Sequence, residues 1–191
     1  MPKRLVSDLQ EEKLLLRMLG SFREAMKLEV YLFPMAKGEG LPASTEIGHP
    51  YCRVIHSCRH GRYKCLRDIN RAINLSVKTG EPYIYQCHGG MIAFTAAFKG
   101  RDGKTAAFVC GPMLLRAPND QIRQGILNDV KNLDLDESQI LASVGDIPVY
   151  SERRVQAAAD LLFLIATYFS KIDLMTLHQQ HEISFQQSLL A

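Results

Sequence analysis

An α+β fold is predicted: an antiparallel sheet flanked by helices, with one helix leading in and a long one leading out. Three features of the 191-residue chain carry this expectation. Runs rich in β-branched and aromatic residues gather between Tyr83 and Cys110, whereas the residues before Gly80 and after Ser151 show apolar spacings of three and four. The link Gly100-Arg101-Asp102-Gly103 is too short for the crossover a parallel pair requires, so the strands it joins run antiparallel. With 47% hydrophobic residues the chain can fill one sizeable core, and its length fits one domain with an appendage.

Ser7-Asp8-Leu9-Gln10 has the spacing of a capping box, and Leu9, Leu15, Leu16, Leu19 and Phe22 follow at helical intervals, which predicts an amphipathic helix near residues 7–26. Leu28, Val30 and Leu32 alternate with Glu29, Tyr31 and Phe33, a strand stopped near Pro34, and Lys37-Gly38-Glu39-Gly40 reads as a loop. Tyr51 to Thr79 reads as two helices broken at Gly61, the second presenting Leu66, Ile69, Ile73 and Val77 on one face and ending at Gly80. Strands over Tyr83–His88, Met91–Phe98 and Thr105–Cys110 follow, with Gly111-Pro112 as a strand terminator. Pro118 and Asn119 open a helix that runs to Val130, and Ile147-Pro148-Val149 is a short extended connector. From Ser151 onward there is neither Gly nor Pro, and Val155, Leu162, Ile165, Phe169, Ile172 and Leu189 form a long helical stripe that loosens near Thr176 to Glu182. The chain thus divides into an entry helix (residues 1–26), a core (27–150) and an exit helix (151–191). The apolar end Ser188-Leu189-Leu190-Ala191 carries the expectation that a further domain follows.

A net charge of +3 is too mild to imply nucleic acid, whose partners concentrate their basic residues in a patch. Met1 to Leu9 lacks the apolar run of a secretory signal, and no stretch of 18 apolar residues occurs, so a cytoplasmic protein without a membrane span is expected. Five cysteines, an odd number in a chain of this size without a signal, predict reduced thiols rather than a disulfide framework.

Those thiols, with the histidines and phenols near them, make the most informative stretch. Cys52 and His56 are four apart on one helix, and Cys58, Cys65, Cys87 and His88 would have to join them through the tertiary fold. No pair has the short spacing of a structural zinc module, so buried structural thiols are favoured over a metal centre. Alternation along a strand turns His88 away from Cys87, which disfavours an activated thiol, and places Tyr83, Tyr85 and Cys87 on one face where they can line a pocket. The series Arg53, Arg59, His60, Arg62, Lys64, Arg67 and Arg71 reads as a solvated helix face. No phosphate loop, H-E-x-x-H or paired acidic motif is present, so the residues point to reading a small molecule rather than to catalysis.

Cys52 near a helix start, Cys65 with Asp68, Gly80-Glu81-Pro82-Tyr83 leading to Tyr85-Gln86-Cys87-His88-Gly89-Gly90, a hairpin, and Val109-Cys110-Gly111-Pro112 together resemble the PocR-type sensory domain. The resemblance runs from about Leu14 to Ile172 and includes Asp146-Ile147-Pro148-Val149. It implies a PAS-like antiparallel sheet of about five strands, and a non-enzymatic sensor of a transcription regulator or histidine kinase. The ligand implied is a small hydrocarbon derivative such as a short diol or polyol, bound near Cys52, Cys65, Tyr83, Tyr85, Cys87 and His88. The signal would leave through the exit helix of a homodimer to a C-terminal helix-turn-helix or kinase unit absent from these residues. The competing expectation is a metal or redox sensor, with zinc or iron at Cys52, Cys65, Cys87 and His88.

Overall fold

The computed structural model describes residues 2–35, 48–100, 103–168 and 170. Alternation along β1 (Val30–Met35) sends Val30 and Leu32 to one face of the sheet and Tyr31 and Phe33 to the other, as the sequence predicts. β2 (Tyr83–Gln86), β3 (Ile92–Lys99) and β4 (Thr105–Met113) complete an antiparallel sheet ordered β1-β4-β3-β2. The sheet has four strands where about five were expected. The remaining extended segment, Ile147-Pro148-Val149, joins through a single parallel bridge between Leu114 and Val149, because Pro148 has no N–H with which to extend a ladder.

Two strand ends differ from the sequence reading. β2 stops at Gln86, and Cys87 to Gly90 form the turn into β3, closed by Gly90 N–H to Cys87 O at 2.9 Å. β4 continues through Gly111-Pro112 instead of ending there. Phe94 pairs with Cys110 and Ile92 with Met113, so Gly111 and Pro112 stand together opposite Ala93 as a bulge. Gly111 has φ of 142°, and a Cβ there would lie 3.0 Å from the Ala93 Cβ, so the position requires glycine.

α1 (Pro2–Met26) begins before the expected cap at Ser7 and buries Leu15, Leu19 and Phe22. It packs with α6 (Glu152–Tyr168) over one sheet face, against Val30, Leu32, Phe94, Ala96 and Phe108. The Tyr150 hydroxyl donates to Met26 O and the Arg154 guanidinium lies 4.5 Å above its ring, fastening the start of α6 to the end of α1. The opposite face is covered by α3 (Arg59–Thr79), whose Ile69 and Ile73 meet Tyr31, Phe33, Ala107 and Val109. Ala72 and Ser76 complete the buried face of α3, while Val77 is exposed. α3 ends at Gly80 in the left-handed conformation, as expected.

The break before α3 falls at Ser57-Cys58, not at Gly61, and separates it from α2 (Pro50–His56). α4 (Asp120–Val130) is capped by Asn119 as predicted. A 3-10 turn at Lys131–Leu133 and α5 (Glu137–Val144) follow, neither expected, although Asp136 caps α5 and Ile140 and Val144 bury its face at a spacing of four. Tyr51 and Ile55 of α2, Met91, Leu114, and residues of α4 and α5 form a separate apolar cluster at one end of the sheet. The loop Lys37–Gly40, Arg101 and Asp102 of the hairpin, and the exit helix beyond residue 170 lie outside the described residues.

Candidate functional site

Between the α3-covered sheet face and helices α2 and α3 the structure leaves a cavity of about 50 Å³. Tyr31 and Phe33 of β1, Val109 of β4, Ala93 of β3 and Tyr85 of β2 form its floor. Cys52 of α2 and Cys65 and Ile69 of α3 form its roof, and Cys87, Met91 and the Gly111-Pro112 bulge close the side. The sheet face repeats small residues, Ala93, Ala97 and Ala107, beneath larger ones on α3, which leaves room in the packing at one end.

Local capping brings the thiols here. His49 caps α2 through its ring Nδ1, which accepts from Tyr51 N–H at 3.2 Å, and the buried Tyr51 hydroxyl donates to Gly89 O at 2.5 Å. That bond ties α2 to the turn after β2, so Cys52 faces Cys87. Cys58 caps α3, its sulfur accepting from Gly61 N–H at 3.2 Å, and Cys65 follows two turns later on the inner face. Cys58 therefore serves the α2–α3 corner, not the cavity. The Cys110 side chain belongs to the core on the other sheet face.

Of the six predicted ligand-binding residues, Cys52, Cys65, Tyr85 and Cys87 line the cavity. Tyr83 stacks on Tyr85 with ring centroids 6.4 Å apart and lies outside the lining. His88 also lies outside it, in the turn after β2 and not on the strand that the sequence reading extended to it. One oxygen of Asp68 on α3 accepts the His88 backbone N–H at 2.8 Å and sits 3.1 Å from its Nδ1, which fixes the turn carrying Cys87 against α3. Burial lowers the His88 pKa against the opposing pull of Asp68.

The cavity is electrically neutral. Burial, then the neighbouring thiols, raise the Cys52 pKa well above the ordinary value; burial, then Cys87 and Asp68, do the same for Cys65. Burial also raises Cys87, although the N–H groups of Gly89 and Met91 offset part of this. Tyr31 and Tyr85 are likewise raised, by burial first. Protonated thiols are poor nucleophiles. Among the described residues no group of three or more His, Cys, Asp or Glu is disposed to hold a metal ion.

Sequence reasoning missed Tyr31, Phe33, Ile69, Ala93, Met91 and Val109 as wall residues. The alternation in β1 did put Tyr31 and Phe33 on a shared face, but which face holds a cavity depends on α3 docking. No described helix is long and apolar enough to cross a membrane. A family model described as "Sensory domain found in PocR" matches residues 8–174. No curated protein and no solved structure matches the chain.

Proposed function

The chain belongs to the family of sensory domains found in PocR, and from that premise we propose that it senses a small hydrocarbon derivative in the cavity between the sheet and helices α2 and α3. The observation that carries the reading is the neutral cavity itself, walled by four of the predicted residues and placed in the middle of the family match. Its volume is well under the ~150 Å³ that accepts benzene, which suits a ligand of a few heavy atoms. At a ceiling of about 1.5 kcal/mol per heavy atom, four atoms give at most about 6 kcal/mol, a Kd of tens of micromolar at best. That range suits a metabolite sensor.

A covalent and hydrogen-bonded route leads from the cavity to α6. Gly111 and Pro112 line it, Leu114 follows three residues on, and Leu114 N–H donates to Pro148 O at 2.9 Å while Tyr150 N–H donates to Leu114 O at 2.8 Å. α6 starts two residues later. A ligand that binds one arrangement of the β4 bulge more tightly than another would bias the start of α6 by that difference in affinity. The exposed Leu161, Leu164 and Tyr168, three and four apart, support α6 as the contact between copies in a homodimer. In this reading the output unit is a helix-turn-helix or histidine kinase, in a cytoplasmic regulator, and the domain itself performs no chemistry.

Hydrogen exchange on the full chain tests the reading, with and without members of a panel of short alcohols, diols and ethers. One compound should slow exchange both in residues 83–93 and in α6. If no compound changes either segment, the sensory assignment to this cavity fails.

A further inference from the structure

A second cleft, of about 400 Å³, lies between α4, the ends of β2 and β3, and the start of α6, and it shares no lining residue with the interior cavity. We propose that this cleft binds a basic amino acid of the lysine type, at a site independent of the sensory reading above. Its make-up is that of a small-molecule site, an apolar bed with a few charged groups at the rim. Ile122, Gly125, Ile126 and Asp129 fall three, four and seven residues apart on α4, so one face of that helix forms a wall about 10 Å long, apolar up to its last member. Ile92 of β3 and the buried Leu114 complete the bed.

Three charges stand on this bed, and among the described residues none of them has an ion-pair partner. Arg116 and Glu152 come from neighbouring segments: Leu114 N–H donates to Pro148 O and Tyr150 N–H to Leu114 O, and each charged residue lies two positions beyond that pairing. Arg116 also precedes α4, which sets this pair toward the N-terminal end of the helix. Asp129 stands at the opposite end, in the last turn of α4. A Cβ on Gly90 would lie 2.8 Å from its Oδ2, so this glycine, with φ of 80°, leaves the carboxylate its place over the turn after β2. A lysine zwitterion matches the set sign for sign. Its carboxylate meets the Arg116 guanidinium, its α-ammonium Glu152 and its ε-ammonium Asp129, while its methylene stem covers the isoleucines. A neutral amino acid leaves Asp129 unmatched, and a diamine leaves Arg116 unmatched. Glu152 is the first residue of α6, so the occupant would touch the exit helix directly and give it a second input.

The test titrates L-lysine, L-norleucine, which lacks the ε-ammonium, and cadaverine, which lacks the carboxylate, into the full chain labelled with ¹³C-methyl isoleucine and assigned with Ile122→Val and Ile126→Val. The Ile122 and Ile126 methyls should shift at roughly tenfold lower concentration of lysine than of either analogue, the worth of one hydrogen bond to a charged group. Asp129→Asn should erase the advantage over norleucine, and Arg116→Gln the advantage over cadaverine. Equal midpoints for the three compounds, an advantage that survives both substitutions, or methyls silent to all three would overturn the proposal. Ile69, on the wall of the interior cavity, reports on the sensory site separately and should stay unmoved by lysine; a lysine response at Ile69 alone would place the ligand in the cavity and remove the second site.

Discussion

Ser76 is a polar residue buried in an apolar interface, and its hydroxyl explains why. β2 begins at Tyr83, opposite Thr95, so the Ala97 N–H on the same edge of β3 has no strand partner. The Ser76 oxygen accepts that N–H at 3.1 Å and donates its own proton to Glu81 O at 2.7 Å. Ser76→Ala should cost about 1–3 kcal/mol in urea unfolding, because it leaves a buried N–H unpaired. His56 sets an acid limit: burial, then Arg62 and His88, hold its pKa down to about 4 from 6.5. The unfolded chain takes up the proton first, so stability is complete above about pH 6.5 and declines as pH falls toward 4. His56→Gln should flatten that decline by less than one proton's worth of slope, as partial exposure weakens the effect; His49 and His88, also held down, keep the rest. Sequence could place Tyr85 and Cys87 on one face because alternation is local. It could not mark Ser76 as buried, because the reason lies at the end of a strand seven residues away.

The corner between α2 and α3 shows the limit of reading at the scale of elements. Gly61 looks like a break, yet it sits in the first turn of α3, where a Cβ would meet Ile55 O at 2.2 Å and the Cys58 sulfur at 3.1 Å. Glycine is there because two helices approach closely, and the same close approach sets Cys52 and Cys65 over the sheet. Gly61→Ala should destabilise by about 3 kcal/mol in thermal or urea unfolding, the upper range for overpacking, since backbone cannot rotate aside. Gly111-Pro112 teaches the same lesson: the pair reads locally as a stop, but Ala93 across the strand accommodates it as a bulge in the cavity wall. α5 was missed because its eight residues give a short periodic signal, although the Asp136 cap was visible.

Across the whole molecule, the sheet separates two tasks. One face, with α2 and α3, holds the cavity; the other, with α1 and α6, holds the exposed stripe proposed to join two copies. If α6 makes the dimer, Leu164→Glu should yield a monomer by light scattering while ligand binding is retained. The overall α+β order was legible because apolar periodicity changes along the chain. Alternation placed four strands, as observed; the fifth came with the family resemblance, and Val149 adds only a single bridge. The account rests on the cavity as the place where a small molecule is read, and thermal shift on wild type and Ala93→Val, which adds two methyl groups to its wall, tests that most directly. A small neutral ligand at a hundred times its Kd should raise the wild-type Tm by roughly 5–10 °C and leave Ala93→Val unmoved. An equal rise in both proteins, or none in the wild type with any compound, would contradict it.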